Sequence, residues 1–132
     1  MNLLERADEL TSLVINCGLE LHQQIGPGLI ESVYEQVLAD RLMSIGLRVE
    51  RQRPVSIVID SKTYADAFRY DLLVDDLLLI ELKSIEKLGP IHIKQTLTYI
   101  RLMNLPIGLL LNFGSETFKQ GIRRITNNHW KA

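Results

Sequence analysis

The sequence predicts an α/β (α+β) fold in which a mixed central sheet is flanked by helices. Three observations carry this. Apolar residues recur at helical spacing near both ends of the first 46 residues. Residues 68–84, FRYDLLVDDLLLIELKS, have the form of two hydrophobic strands joined by an acidic turn. A third helical stretch then leads into Ile107-Gly108-Leu109-Leu110-Leu111-Asn112-Phe113, a wholly apolar strand of the kind buried on both faces.

Leu10, Leu13, Val14, Cys17, Leu21 and Ile25 predict a first amphipathic helix over about residues 7–25, capped by Asp8 or Thr11. Gly26-Pro27-Gly28 breaks it. A second helix is expected over about 29–46, ended by Gly46. With Glu31 set at 0°, its apolar residues Val33, Val37, Ile30, Tyr34, Ile45, Leu38 and Leu42 cover an arc from about 200° through 340° to 20°. Glu31 falls inside this arc, Glu35 falls on its border, and Asp40, Met43, Gln36 and Ala39 take the outer face. A glutamate that points inward either caps the helix start, where the macrodipole favours it, or is aimed at the sheet for a purpose.

Arg48 to Asp60 alternates like one strand, with Arg51 and Arg53 facing solvent or a phosphate backbone, and Asp60-Ser61-Lys62 turns the chain. Tyr64 to Leu73 then begins the central hairpin. Pro90 suits the first turn of a helix running to about Met103, whose inward side is read as Ile91, Leu102, Gln95, Tyr99 and His92. Lys94, Thr98 and Arg101 form its solvent edge. Gly114 to Ala132 reads as a polar tail in which Ile122 and Ile125 pack a short last element.

The central hairpin carries the chemistry. In Leu78-Leu79-Ile80-Glu81-Leu82-Lys83, alternation puts Glu81 and Lys83 on one face and Leu78, Ile80 and Leu82 on the other. With Asp71 upstream this is a D-x(n)-E-x-K pattern. Two readings stand: an internal Asp/Glu–Lys ion pair, or a metal site. Geometry separates them in part. A two-residue turn, Asp75-Asp76, would turn Asp71 away from Glu81, whereas a three-residue turn, Asp75 to Leu77, sets Asp71 directly across from it.

The bulk numbers bound the rest. One domain of 132 residues with 46% hydrophobic content is large enough for a sizeable core. The formal net charge of −1 does not advertise a nucleic-acid binder. It is unevenly spread: residues 1–47 carry seven acids and two bases, net −5, and residues 48–132 nine acids and thirteen bases, net +4. Cys17 is the single cysteine, which excludes a disulfide within the chain and a cysteine-based zinc site. No apolar run approaches membrane-span length and the N-terminus lacks a secretory pattern, so a cytoplasmic protein without a membrane partner is expected.

The D-x(n)-E-x-K pattern resembles that of the PD-(D/E)xK nuclease superfamily. Gly28, Glu31 and Tyr34 spell G-x-x-E-x-x-Y. Together with Asp71-Leu72-Leu73-Val74, Ile80-Glu81-Leu82-Lys83, Gln95-x-x-x-Tyr99 and Leu110-Leu111-Asn112-Phe113, they make the chain similar, over about residues 10–126, to the GxxExxY group of that superfamily. The resemblance implies a restriction-endonuclease-like core, α-β-β-β-α-β. It implies a nuclease that uses Mg²⁺, or alternatively Mn²⁺, on nucleic acid, DNA ahead of RNA. Glu31, Asp71 and Glu81 would be metal carboxylates and, with Lys83, the catalytic set. Gln95 and Tyr99 would orient the lysine or contact substrate, and His22 would be either a supporting contact or a core residue. Alternatives are a binding module that keeps the fold without cleaving, and a structural homodimer in which the charges only pair. So small a chain has little surface for a duplex, which leaves a homodimer open.

Overall fold

The computed structural model describes residues 1–132. Helices α1 (Leu3–Ile25) and α2 (Glu31–Ser44) come first, followed by β1 (Val49–Arg51), β2 (Pro54–Ile59), β3 (Lys62–Arg69), β4 (Leu72–Val74) and β5 (Leu78–Lys83). Then come α3 (Pro90–Leu102), β6 (Ile107–Asn112), a 3-10 turn (Lys119–Gly121) and β7 (Ile122–Thr126). The main sheet has the order β1-β4-β5-β6-β7, and β2 and β3 form a separate two-stranded sheet. Only β5 and β6 run parallel, because α3 carries the chain back to the start of the sheet between them. The expected α+β fold with a mixed sheet is the one observed.

Strand alternation divides the core. Leu72, Leu78, Ile80, Leu82, Leu109 and Leu111 pack against Leu10, Val14, Tyr34 and Leu38 of α1 and α2. Leu73, Leu79 and Leu110 point the other way, toward Ile100 of α3. α3 sits close on β6: a Cβ at Gly108 would lie 2.9 Å from Thr96 Cγ2 and 3.0 Å from Ile100 Cγ2. No helix is long and apolar enough to cross a membrane.

Several expectations shift. α1 begins at Leu3, not near residue 7, and its cap is Asn2, whose Oδ1 accepts the Glu5 N–H at 2.8 Å. Asp8 and Thr11 lie inside the helix, and Thr11 Oγ1 donates to the Ala7 carbonyl. Exposed Leu3 and Leu4 carry no periodic signal, so the start was invisible to the pattern. α2 is shorter at both ends, with Ile30 and Ile45 outside it and exposed. It closes with paired bonds, Gly46 N–H to Met43 O and Leu47 N–H to Leu42 O, around Gly46 at φ +91°.

The inner face of α2 is also rotated. Tyr34, Glu35, Leu38, Ala39 and Leu42 are its buried residues. They span about 300° through 0° to 80° in the same frame, which centres the buried arc near Glu31. Ala39, expected outside, is buried, while Val33 is exposed. On α3 the inner stripe is Ile93, Thr96, Leu97 and Ile100, whereas Ile91 and Leu102 are exposed. The observed inner side lies about 140° round the helix from the expected one, at 100° per residue, in part because Thr96, buried with its hydroxyl bonded to the His92 carbonyl, does not register as apolar.

The expected strand over 48–60 is two strands in different sheets. Gln52 takes a left-handed backbone (φ +52°), and Pro54, which has no N–H for a ladder, starts β2 as the chain leaves the main sheet. β3 therefore pairs with β2, not with β5, and the hairpin reverses at Asp60 and Ser61, both left-handed. Arg51 and Arg53 are exposed to solvent, as expected, and each also pairs with a carboxylate, Arg51 with Glu35 and Arg53 with Glu50. The polar tail is structured: β7 adds an edge strand to β6, and Phe118 is buried against α1 at Gly18.

Candidate active site

β4 and β5 pair with Leu72 opposite Ile80, Leu73 opposite Leu79 and Val74 opposite Leu78. Three residues, Asp75 to Leu77, make the turn, so the next pair outward is Asp71 opposite Glu81. Asp75 and Asp76 take left-handed backbones, which short acidic side chains tolerate. The Asp75 carboxylate is fixed by the Arg48 N–H at 2.9 Å and Arg6 Nη2 at 2.7 Å.

Beyond Leu72 the ladder is continued by side chains. The Asp71 N–H donates to Glu81 Oε2 at 3.1 Å, and the Leu82 N–H donates to Asp71 Oδ2 at 2.8 Å. Glu81 is 6% exposed. Burial first, and then the negative charge of Asp71, push its carboxyl up to about 9. Two carboxylates this close in a dry setting resist sharing their charge.

Glu31 opens α2 and faces the same place. The loop that delivers it is set by Gly28 at φ +118°, by Tyr34 Oη donating to the Gly26 carbonyl at 2.5 Å, and by Ser84 Oγ donating to the Leu29 carbonyl at 2.6 Å. The last bond ties the entry of α2 to the exit of β5. Glu31 is not the helix cap, a position held by Ile30. Burial and then the charge of Asp71 raise its carboxyl, with Lys83 opposing. Lys83, two residues beyond Glu81 on the same face, is half-buried and takes part in none of the six ion pairs of the molecule. The internal Asp/Glu–Lys ion pair weighed from sequence is therefore not formed.

From α3, Tyr99 stacks on Phe68 with ring centroids 4.0 Å apart and planes 12° apart. Burial, and then the charges of Glu81 and Asp71, raise its hydroxyl, while Gln95 pulls it the other way. Gln95 is exposed beside it rather than facing the core. His22 is elsewhere. It is buried in the last turn of α1, its Nε2 is 2.9 Å from the Ser115 carbonyl oxygen, and its ring lies 5.8 Å from that of Phe118. That is a packed core histidine.

Three residues absent from the sequence reading of the site adjoin it. Gln52 Nε2 donates to Asp71 Oδ1 at 3.1 Å and to Glu35 Oε1 at 2.5 Å, and Arg51 Nη2 donates to Glu35 Oε2 at 2.9 Å. Glu35 is only 3% exposed. Its border position on the helix, four residues after Glu31, was the signal available.

No three His, Cys, Asp or Glu side chains converge closely enough to hold a metal ion as they stand. The donor set nevertheless fits a hard divalent cation. Its members are carboxylate oxygens, and two of them are held at raised basicity by burial and by mutual charge, a strain that a cation would relieve. The largest concavity, about 1070 Å³, is lined by Pro27, Lys87, Ser115, Gln120 and Arg123 among others, and excludes the carboxylates. A smaller one of about 340 Å³, which includes Gly28, Leu29 and Ser84, reaches the end of β5. Neither concavity takes in the carboxylates, of which Glu81 is buried and Asp71 and Glu31 are half-buried.

A family model described as the PD-(D/E)XK nuclease superfamily matches residues 8–125. No curated protein and no solved structure matches the chain significantly.

Proposed function

The chain belongs to the PD-(D/E)XK nuclease superfamily, and from that premise we propose that it is a metal-dependent nuclease hydrolysing phosphodiester bonds, with DNA as the preferred nucleic acid. The observation that carries the reading is Asp71 set directly across from Glu81 with an unpaired Lys83 on the same face. Asp71 and Glu81, with Glu31, would hold Mg²⁺ or Mn²⁺, which when bound supplies a water of lowered pKa and positive charge at the phosphate. Lys83 offsets the charge of the scissile phosphate and orients the attacking water. Glu31, half-buried at the start of α2, completes that carboxylate set. Tyr99, propped by Phe68 and flanked by Gln95, contacts the sugar-phosphate backbone.

The test is cleavage of linear, nicked and single-stranded DNA, and of RNA, with Mg²⁺ or Mn²⁺. Wild type cuts at least one of these, DNA best, while Asp71→Ala and Lys83→Ala lose at least a hundredfold with the fold intact. Wild type and variants equally inert on every substrate would end the reading. A second reading, a module that binds nucleic acid without cutting it, is favoured by one observation: both Asp71 and Glu81 already accept main-chain N–H bonds, and no three-ligand cluster is assembled. Salt-dependent binding without cleavage in either metal would select it.

A further inference from the structure

Gln52 stands where the chain leaves the main sheet for the β2–β3 hairpin, and it grips Asp71 twice. Its N–H donates to the Asp71 carbonyl at 3.0 Å, and its side-chain Nε2 donates to Asp71 Oδ1 at 3.1 Å. The second hydrogen of that amide goes to Glu35 Oε1 at 2.5 Å. Reversing the amide would set its carbonyl oxygen against two carboxylates, so the orientation is fixed by chemistry. Glu35 in turn is buried and held at its other oxygen by Arg51, at 2.9 Å from Nη2 and 3.3 Å from Nε. The other oxygen of Asp71 takes the Leu82 N–H at 2.8 Å. Asp71 is therefore clamped at both oxygens, by β5 on one side and through Gln52 by α2 on the other.

The backbone at Gln52 would suit glycine. Its φ of +52° is a conformation that L side chains adopt at a cost. What glycine would not supply is the bridging amide. We propose that Gln52 is a positioning residue that holds the Asp71 carboxylate in the orientation needed for a divalent cation; the cation rests on the nuclease reading above, the orientation of Asp71 does not. It acts as the outer partner of a metal ligand, and such partners fix the direction in which the ligand points.

Gln52→Gly tests this, because it keeps the turn, frees the strained backbone, retains the main-chain bond to Asp71 and removes only the amide. Two readouts are taken on the full chain. The first, needing no metal, is the Leu82 N–H in an assigned ¹H–¹⁵N spectrum, which reports directly on Asp71 Oδ2. The resonance is expected to move and its exchange with solvent to quicken at least tenfold, while the rest of the amide spectrum shows the fold retained. The second is Mn²⁺ affinity by calorimetry, expected to weaken about tenfold. A Leu82 N–H unchanged in position and exchange overturns the proposal whatever the metal does. So does a shifted Leu82 N–H with Mn²⁺ bound as tightly as by wild type. If Leu82 shifts and wild type itself binds no Mn²⁺, Gln52 does orient Asp71, and it is the metal-dependent reading that falls.

Discussion

Asp71 and Glu81 face each other across the β4–β5 pair because three residues, Asp75 to Leu77, turn one strand into the other. Side chains alternate with period two, so the parity of this turn decides whether the carboxylates meet. Deleting Leu73 from β4 is expected to bring Asp71 opposite Ile80, abolish Mn²⁺ binding and cost roughly 2–4 kcal/mol, since buried Leu72 is carried to the opposite face of the sheet. Asp76→Gly keeps the length and suits the left-handed backbone; it should retain binding and stability. Calorimetry and urea unfolding on the two variants check both outcomes.

The raised Glu81 carboxyl makes stability depend on pH. Its folded value is about 9 against an ordinary 4.5, so between these the folded state holds a proton that the unfolded chain releases. Stability of the metal-free protein therefore falls as pH rises from about 4.5 toward 9. Glu81→Gln removes this slope and at pH 8 should exceed wild type by on the order of 1–3 kcal/mol. Urea unfolding in chelator at pH 5, 7 and 8.5 measures the difference; parallel curves would refute it.

A bound cation reverses that penalty. Mn²⁺ at a hundred times its Kd should stabilise wild type by roughly 2.7 kcal/mol, and chelator should undo the gain. The Asp71→Ala/Glu81→Ala double variant should show no shift in its melting curve.

Tyr34 holds the entry to α2 through its hydroxyl, which donates to the Gly26 carbonyl at 2.5 Å and accepts the Leu29 N–H at 3.2 Å. Tyr34→Phe preserves the stack on Phe113, whose ring centroid is 4.6 Å away, and deletes both bonds. A loss of about 1–2 kcal/mol and faster exchange at the Leu29 amide are expected.

Much of this architecture was legible because periodicity reports burial, and burial fixes faces. The largely apolar β5 and β6, the α3 boundaries and the placement of Glu81 on the face of Lys83 all follow from that rule. The turn at Asp75 to Leu77 was legible only as a choice of parity, since acidic residues there permit either length. The second sheet was hidden because Arg51-Gln52-Arg53 continues the alternation while Gln52 reverses its backbone. Gln52 and Glu35 escaped notice for a different reason. Each is an ordinary polar residue whose role exists only in a contact between segments far apart in sequence, and the buried face of α2 had been drawn too far from Glu35. His22 shows the converse, a residue type suggestive of chemistry that serves packing between Phe113 and Phe118.

The β2–β3 hairpin is not a member of the five-stranded sheet, and the chain departs at Gln52 and returns at Asp71, whose backbones are bonded to each other. The departure and return are thus closed at the root, as in a loop that begins and ends at one point. A change of length within the arm therefore leaves every strand of the main sheet with its partner. Only Gln52, Asp71 and the Phe68 ring against Tyr99 bind it to the site. The arm can thus flex or change length as a unit while Asp71, at its base, stays bonded to β5 through the Leu82 N–H.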